Sequence, residues 1–368
     1  MKRVFHIISH LDIGGAERVA INIAKSKTTD FEYHVVEIVR SDSDFAKNLV
    51  EELDKSKVFF HRSPFRNNKL AILLFGIWFT KIYLKYTPDV MHVHTEMPDF
   101  AMWIFRKMAW VYWWIKPKYV RTIHSTQLWN SWKLLGSIIE PYYIKHQSNV
   151  AISASTKECY EKAYGDNLPI IYNGLAEVSQ KSFEGIVKGK INVLFAGRLC
   201  PEKGIDVLLA VLSQFQNSEK FHFHIIGSGP HENKIKSFAE KCSNISVYEK
   251  FYGLSQFLGS FDFLFMPSRF EGLPLLSIEA ALAHTPTIIN RCPGLIDTLP
   301  EDWPLAVDGN SVELFVDIFN NRLFDIDYKQ LSDIAYQYVK ERFSIEKMQE
   351  KYEKIYGYEY KNNTSVNF

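Results

Sequence analysis

Short runs of apolar residues alternate with longer segments in which apolar side chains recur every three or four positions. The short runs predict strands and the longer segments predict helices, because the spacing of apolar side chains follows the repeat of each structure. The predicted strands cover 3–8, 32–39, 57–61, 90–94, 118–123, 149–152, 191–196, 221–226, 245–248, 262–265 and 286–289. Strands that alternate with helices indicate parallel sheets covered by helices, so we expect an α/β fold.

A polar segment at 176–190, which contains two glycines, separates six of these strands from the other five. We interpret it as the boundary of a second domain, because polar and glycine-containing segments are typical of linkers. Beyond about 308 the pattern is helical to about 356. Doubly wound sheets bind ligands at the carboxyl ends of their strands, so two such domains facing each other would form a cleft with a ligand on each side.

The composition is that of an ordinary globular protein, with 46% hydrophobic and 23% charged residues among 368. The net charge of +1 gives no indication of nucleic acid binding. The first half is basic, however, and residues 55–125 carry 12 Lys and Arg against 3 Asp and Glu. A basic region of this kind predicts contact with an anionic surface or substrate.

The four cysteines have no paired spacing that would suit zinc or thiol–disulfide exchange, which predicts free thiols in a reducing compartment. They are Cys159, Cys200, Cys242 and Cys292. The first residues run into a strand without the pattern of a signal peptide, and no apolar run reaches the roughly 20 residues that span a bilayer. We therefore expect a cytoplasmic protein.

The segment 267–280 follows an apolar run and carries the most chemical information in the chain. Pro274 fits the first turn of a helix, and Gly272 allows a ligand to approach the backbone. The start of a helix favours a phosphate. Glu271 lies just before this helix and Glu279 within it, so the segment suits a diphosphate flanked by hydroxyl-rich groups, as in a nucleotide sugar.

Glu-Gly-Leu-Pro followed by Ile-Glu-Ala resembles the donor-site segment of retaining, family 4-like group 1 glycosyltransferases. These enzymes have the GT-B fold, in which two Rossmann-like doubly wound domains face each other across a cleft. The resemblance implies an acceptor-binding domain over 1–175, a donor-binding domain over 176–343, and a last helix at about 344–368 that crosses back to the first domain. It also implies donor contacts from Gly272, Leu273, Pro274, Leu275 and Glu279.

The loop 197–204 follows a predicted strand and matches a Gly-Arg…Glu-Lys-Gly element of the same family. There the element supplies two cations to the donor diphosphate, which implies this role for Arg198 and Lys203 and a donor contact for Gly197. Fixed cations in a dry site stabilise the charge on a leaving diphosphate better than water does.

Two glycine turns also resemble the family. Gly227 and Gly229 match a Gly-x-Gly-Pro turn beside the nucleotide, and Gly14 and Gly15 match a loop that approaches the donor phosphate and the acceptor. Their spacing differs from the Gly-x-Gly-x-x-Gly fingerprint of dinucleotide-binding enzymes, so we do not expect a nicotinamide-dependent oxidoreductase.

His124 ends a predicted strand and matches the histidine that lies against the transferred sugar in the family. Asn173 resembles the turn into the second domain, which implies a hinge or donor-facing position. His92 and His94 belong to a strand, so we assign them a structural role, with His94 and Glu96 nearer the cleft. The histidines lack the helical spacing of a zinc enzyme.

Two Asp-x-Asp triplets raise the alternative of the other major glycosyltransferase fold, in which such a triplet holds the diphosphate through a divalent cation. The triplets at 42–44 and 325–327 lie in polar segments and do not follow a strand with a nucleotide-binding context. Arg198 and Lys203 would also make a metal redundant. We therefore expect no metal ion and no cofactor.

The region 62–121 interleaves aromatic residues with cations, most densely at 103–118, and 70–84 adds an apolar stretch flanked by lysines. Helices of this composition bind the interface of an anionic membrane. The same aromatics would equally suit the core between helices and sheet, and the pattern leaves both interpretations open. The first would make the protein peripheral on the inner face of the plasma membrane.

The resemblance implies a retaining, metal-independent transfer of a hexose from a nucleoside diphosphate sugar. We favour a UDP-sugar over a GDP-sugar, although the short segment from Gly253 to Asp262 leaves the nucleobase open. The acceptor would be a glycan or lipid-linked molecule of surface polysaccharide biosynthesis. Glu271 would orient the sugar hydroxyls and steady positive charge at the anomeric carbon, and Glu279 would bind the ribose. Two alternatives remain: a sugar-nucleotide 2-epimerase of the same fold, and a non-catalytic membrane-associated assembly partner.

Overall fold

The computed structural model describes residues 1–12, 14–112, 114–130 and 132–357. The chain divides into two compact units. The first comprises Met1–Gly174 and the segment that begins at Ile345, and the second comprises Leu175–Ser344. Each unit has its own six-stranded parallel sheet with helices between the strands, which confirms the expected α/β fold.

The sheet of the first unit consists of β1 (Lys2–Ile8), β2 (Phe31–Glu37), β3 (Phe59–Arg62), β4 (Val90–His94), β5 (Lys118–Ile123) and β6 (Asn149–Ala151). The spatial order is β3-β2-β1-β4-β5-β6. The chain therefore builds outward from β1 to one edge and then from β4 to the other. This makes the border between β1 and β4 a topological switch point. Across it, His6 pairs in register with His92.

The described α-helices within Met1–Gly174 are α1 (Gly15–Ala24), α2 (Asp44–Lys55), α3 (Asn68–Tyr86), α4 (Glu96–Met108), α5 (Lys133–Lys145) and α6 (Ala154–Tyr164). Serine side chains cap two of them, because Ser43 Oγ accepts from the N–H of Ala46 and Ser153 Oγ accepts from the N–H of Thr156. The core lies between the sheet and helices α3 and α4, where Phe79 packs against both Phe5 of β1 and Phe105.

The second sheet consists of β7 (Ile191–Ala196), β8 (Phe221–Ile226), β9 (Ile245–Tyr248), β10 (Phe263–Met266), β11 (Thr287–Asn290) and β12 (Ala306–Val307). Its order is β12-β11-β10-β7-β8-β9, which is the order of the first sheet when counted from β7. Strands β8 and β10 are buried along their whole length. This explains the continuous apolar sequence of β10, since helices cover both faces of most parallel sheets. In β8 the histidines are hydrogen-bonded, His222 to Ser246 and His224 to Asn192.

The described α-helices of the second unit are α7 (Ile205–Gln214), α8 (Glu232–Ala239), α9 (Leu275–Leu282), α10 (Val312–Asp317), α11 (Leu323–Asp325) and α12 (Tyr328–Arg342). The final helix, α13 (Ile345–Gly357), belongs to the first unit. There Gln349 Nε2 donates to the carbonyl of Asn22 on α1 at 2.6 Å, and Tyr352 and Tyr356 are buried. The remainder of the predicted last helix, 358–368, lies outside the described residues.

All eleven predicted strands are present, with ends that differ by at most two residues. The twelfth strand, Ala306–Val307, was not predicted, because two residues are too short to show a period. Pro274 was expected inside the first helical turn, but it is the N-cap of α9, with extended backbone angles of φ −71° and ψ 113°. Within the described part of the chain, no helix has the length and apolarity needed to cross a membrane.

Candidate functional site

The second sheet has its switch point between β7 and β10, and two loops leave the carboxyl ends of these strands. Ligands of doubly wound sheets bind outside such a point. The loop at 197–204 follows β7, and the loop at 267–274 follows β10. These are the two segments whose residues the sequence singled out as donor contacts.

An ion pair joins the two loops. Lys203 Nζ donates to Glu271 Oε1 at 2.5 Å, although the residues lie 68 positions apart. The two side chains are only 24% and 11% exposed, so their interaction is less screened than that of a surface pair. The fold thus brings together the predicted cation and the predicted carboxylate.

Close packing holds the two loops in place. Gly204 has φ +68°, and a Cβ at this position would lie 1.9 Å from the carbonyl oxygen of Pro267. Glycine is therefore required on steric grounds as well as for its backbone angle. The same carbonyl accepts a hydrogen bond from Asn310 Nδ2 at 2.8 Å.

Arg198 is exposed, and within the described part of the chain its side chain forms no hydrogen bond or ion pair; its backbone carbonyl accepts from the N–H of Cys200 at 2.9 Å. It lies close enough to Glu202 to affect that carboxyl. The pKa of Glu202 is lowered, first by a hydrogen bond with Cys200 and further by the charges of Arg198 and Lys203. Two cations therefore lie near one end of the loop, and Arg198 retains its full hydrogen-bonding capacity for a ligand.

The turn at Gly227 and Gly229 contacts the neighbouring loop of the protein. A Cβ at Gly227 would lie 2.0 Å from the carbonyl oxygen of Gly197, and one at Gly229 would lie 2.7 Å from that of Leu199. Leu199 also donates its N–H to the carbonyl of Ser228 at 2.9 Å. These glycines therefore have a structural reason to be glycine that does not depend on a ligand.

The start of α9 presents backbone groups more than side chains. Leu273 is 5% exposed, so its side chain belongs to the core, whereas Gly272 and Leu275 are partly exposed. Glu279 lies in the second turn of the helix and is also partly exposed. Side chains of a helix lean toward its N-terminus, which directs this carboxylate back toward the 267–274 loop.

Residues of the loop that follows β11 support Glu271, a role that the sequence did not indicate. The N–H of Glu271 donates to the carbonyl of Pro293 at 3.0 Å. Gly294 has φ +81°, and a Cβ there would lie 2.3 Å from the carbonyl oxygen of Glu271. Cys292 is buried, and its pKa is raised to about 12, first by burial and then by the nearby carboxylate of Glu271, so the thiol is neutral. Gly294, four residues after the end of β11, was the feature of the sequence that could have indicated this support.

In the first unit, His124 follows β5 and is hydrogen-bonded through Nε2 to His94 Nδ1 at 3.0 Å. Burial lowers the pKa of His124 to about 3, so the imidazole is neutral. Across the switch point of this sheet, Ser9 Oγ lies 2.9 Å from Thr95 Oγ1. Thr95 has φ +73°, a strained angle for a β-branched residue, and such strain is common at ligand sites.

A pocket of about 260 Å³ opens beside Thr95. It is lined by Ser9, Thr95, Glu96, Gln127, Trp129 and Trp132, among others. Trp129, like Thr95, lines the pocket with a positive φ, here +56°. Its indole N–H donates to Glu140 at 2.5 Å. Two aromatic walls with several polar groups suit a polar, ring-shaped ligand.

The remaining predicted donor contacts also lie in the first unit. A Cβ on Gly14 would lie 1.9 Å from Glu17 Oε2, whereas nothing lies within 4 Å of a Cβ on Gly15. Asn173 is buried, and its Oδ1 atom has no hydrogen-bond partner among the described residues. An unsatisfied buried acceptor is uncommon and favours a missing ligand contact.

Two family models match the chain. Residues 13–176 match the model described as Glycosyltransferase Family 4, and residues 190–322 match Glycosyl transferases group 1. The chain belongs to the family 4-like, group 1 glycosyltransferases. The two matches cover the two units separately.

Several glycosyltransferases resemble most of the chain. An uncharacterized glycosyltransferase of Methanocaldococcus jannaschii is 25% identical over 310 residues, which cover 80% of each protein. The O-antigen biosynthesis glycosyltransferase WclY of Escherichia coli is 24% identical and covers 73% of this chain and 79% of its own. The crystal structure of Anabaena HepE in complex with UDP-glucose superposes with a TM-score of 0.76 at 15% identity, covering 96% of this chain and 99% of that one. This similarity shows a shared GT-B fold.

Proposed function

We propose that this glycosyltransferase is a retaining, metal-independent enzyme that transfers a hexose from a UDP-sugar to a glycan or lipid-linked acceptor in surface polysaccharide biosynthesis. The observation that carries the proposal is the ion pair between Lys203 and Glu271 at the switch point of the second sheet, with Arg198 nearby. The O-antigen relative and the UDP-glucose bound by HepE support the donor class and the pathway.

The leaving diphosphate is held by cations and backbone groups. Lys203 has three N–H donors, and the contact with Glu271 uses one of them, which leaves two for phosphate oxygens. Arg198 adds a bidentate donor, and the backbone N–H groups of Gly272, Leu273 and Leu275 add the positive end of α9. Glu279 accepts from the ribose hydroxyls.

The reaction breaks the bond between the anomeric carbon and the phosphate oxygen and forms a bond to the acceptor oxygen on the same face. The departing phosphate oxygen takes the acceptor's proton, so no enzyme base is needed. Glu271 accepts from the sugar hydroxyls and stabilises positive charge at the anomeric carbon. His124, Asn173, Gly14 and Gly15 contact the sugar and phosphate.

The structure also supports a mechanism without a metal ion, because the Asp-x-Asp triplets have structural partners. Asp42 accepts from Arg40 at 3.0 Å and from Arg66 at 2.7 Å. Asp327 caps α12 by accepting from the N–H of Gln330 at 3.0 Å. A divalent ion bound at Asp42 or Asp327 would have to displace these contacts.

We assign the acceptor to the first unit, where the pocket beside Thr95 supplies its site. Trp132 presents an exposed ring that would stack on the apolar face of a sugar, while Glu96 and Gln127 would bind its hydroxyls. The pocket is large enough for one monosaccharide unit of a longer acceptor.

We further propose that this unit binds an anionic membrane, which would make the protein cytoplasmic and peripheral. Leu70, Leu73 and Ile77 form an exposed stripe along α3, at 53%, 70% and 63%, with Lys69 and Lys81 beside it. Other aromatics of the region belong to the core: Phe75, Phe79, Tyr83 and Phe105 are buried in it, and most of the remaining described ones are partly buried against it. Trp113 and the side chain of Trp110 lie outside the described residues.

The proposal is tested first by thermal shift with UDP, GDP and ADP. Transfer and hydrolysis are then assayed with the sugar derivatives of the nucleotide that binds, in the presence of a metal chelator. Retention of the anomeric configuration in the product, read by NMR, supports the mechanism, and inversion contradicts it. Conversion of UDP-N-acetylglucosamine without an acceptor would identify a 2-epimerase. Failure to bind any nucleotide would favour a non-catalytic assembly partner.

A further inference from the structure

Three imidazoles of the first unit form a hydrogen-bonded chain. His6 Nδ1 lies 3.1 Å from His94 Nε2, and His94 Nδ1 lies 3.0 Å from His124 Nε2. His6 is on β1, His94 is the last residue of β4, and His124 follows β5. The chain therefore runs across three neighbouring strands from the buried interior to the carboxyl edge of the sheet.

Each ring in this chain is neutral and carries one proton. Burial lowers the pKa of His6 and of His124 to about 3, and it lowers the pKa of His94 well below its usual value. Each of the two N···N contacts needs one N–H donor. Both donors must then point in the same direction along the chain, because His94 has only one proton.

The buried end of the chain decides this direction. His6 Nε2 is buried and has no partner among the described residues. If the donors pointed toward His6, this atom would be a buried N–H without an acceptor. If the donors point toward His124, His6 Nε2 is instead an acceptor with an unused lone pair. Buried N–H groups without an acceptor are rarer in proteins than acceptors without a donor. The second arrangement protonates His124 on Nδ1.

The neighbouring His92 does not belong to this chain. Its Nδ1 lies 2.7 Å from the hydroxyl of Tyr356, and its Nε2 lies 2.7 Å from Thr122 Oγ1. Hydroxyl groups donate or accept, so these contacts do not determine a tautomer. The nitrogens of His6, His92 and His94 lie within 4.8 Å of one another, but a metal ion would have to displace these hydrogen bonds, so we do not assign a metal site.

We propose that His6 and His94 are positioning residues that hold His124 as its Nδ1–H tautomer. This gives His124 a neutral, fixed hydrogen-bond donor for an oxygen of the transferred sugar. The role of this donor rests on the proposed function, whereas the direction of the protons does not.

The tautomer is measured on the full-length protein with ¹⁵N-labelled histidine, by long-range ¹H–¹⁵N correlation spectra. His124→Gln assigns the His124 signals. We expect protonated Nδ1 in the wild type and in the matched control His92→Gln, and a mixture of tautomers in His94→Leu. Protonated Nε2 in the wild type would overturn the proposal.

Kinetics with a UDP-sugar then test the donor role. The Asn amide nitrogen lies near the position of His Nδ1, so His94→Asn retains a donor for His124 while His94→Leu does not. We expect about a tenfold loss of kcat/KM in His94→Leu, the effect of one hydrogen bond, and less than about threefold in His94→Asn. Equal losses would overturn the positioning role. An inactive wild type would instead refute the proposed function. It would also refute the sugar as the acceptor of this N–H. The spectra would still determine the direction of the protons along the histidine chain.

Discussion

The two units share one strand order, yet they carry opposite chemistry at the ends of their strands. In the second unit the switch point holds a pair of opposite charges, Lys203 and Glu271, and the unpaired cation Arg198. In the first unit it holds neutral imidazoles, hydroxyls and tryptophans, with the carboxylate of Glu96 in the lining of the pocket. The topology determines where a ligand binds, and the side chains determine which ligand, so a diphosphate suits one sheet and a neutral sugar suits the other.

The first unit also contains a cluster of buried charges. Arg121 contacts Asp99 and Glu140 at 2.7 Å each, and all three side chains are at most 2% exposed. The comparable pair in the second unit, Arg269 with Asp206, is about half exposed. These two clusters offer a direct test of how differently the units use charge.

Replacing Arg121 with Met should have the largest effect on stability, because it leaves two buried carboxylates without a counter-charge. We expect the first unit to lose about 3–5 kcal/mol in free energy of unfolding, measured by unit-resolved hydrogen exchange. Arg269→Met, the exposed counterpart, should cost no more than about 1 kcal/mol. Similar losses of unfolding free energy in both variants would mean that the buried cluster stabilises the protein no more than the exposed pair does.

Replacing Lys203 with Ala should remove charge stabilisation from the leaving diphosphate. We expect transfer to fall about 10²- to 10³-fold, as for other fixed groups that stabilise developing negative charge. The control is Lys236→Ala, which removes an exposed lysine paired with Glu232 on α8 of the same unit. Near-normal turnover of Lys203→Ala would refute the assignment.

Acid should weaken the first unit more than the second, where burial also lowers the pKa of His224, to about 4, and that of His222. The folded pKa of His6 and of His124 is about 3, below the unfolded value of 6.5, so protonation favours the unfolded chain. Their stabilisation is fully present above pH 6.5 and is lost as the pH falls toward 3, by up to about 1.4 kcal/mol per pH unit for each group. Hydrogen exchange at pH 7, 6 and 5 should show earlier loss of protection in β1, β4 and β5 than in β7 and β10, and the reverse order would contradict this.

The smallest expected effect concerns the membrane. Leu73→Asp should weaken co-sedimentation with vesicles of phosphatidylserine and phosphatidylcholine about tenfold, by removing one inserted leucine. Leu134→Asp on α5 changes a comparably exposed leucine outside the α3 stripe and should bind like the wild type. Absence of binding by the wild type at low salt would end the membrane proposal.

The strands and the places of the loops after β7 and β10 could be predicted from the sequence because both depend on local patterns. Buried parallel strands are continuous apolar runs, and the segment around Glu271 combines glycine, proline and acids within a few residues. The histidine chain could not be predicted, because it depends on β1 lying beside β4, which brings together His6 and His94. No spacing in the sequence shows that neighbourhood.

The sequence also could not predict which residues of 62–121 are buried. Helix α3 is apolar around most of its circumference, so its pattern does not show which side faces the sheet. The structure assigns Phe75 and Phe79 to the core and leaves Leu73 and Ile77 exposed. The contacts of Gly227 and Gly229 with the 197–199 loop were unpredictable for the same reason, since they depend on two loops meeting in space.

Calorimetric titration with UDP tests the central claim, that the charged switch point of the second unit binds a nucleoside diphosphate. Arg198→Ala and Lys203→Ala should each weaken UDP binding about tenfold or more, because each removes a charge-assisted contact. Glu271→Gln should bind UDP at least as tightly as the wild type, since it releases Lys203, while losing transfer. Unchanged UDP affinity in both cation variants would contradict the account.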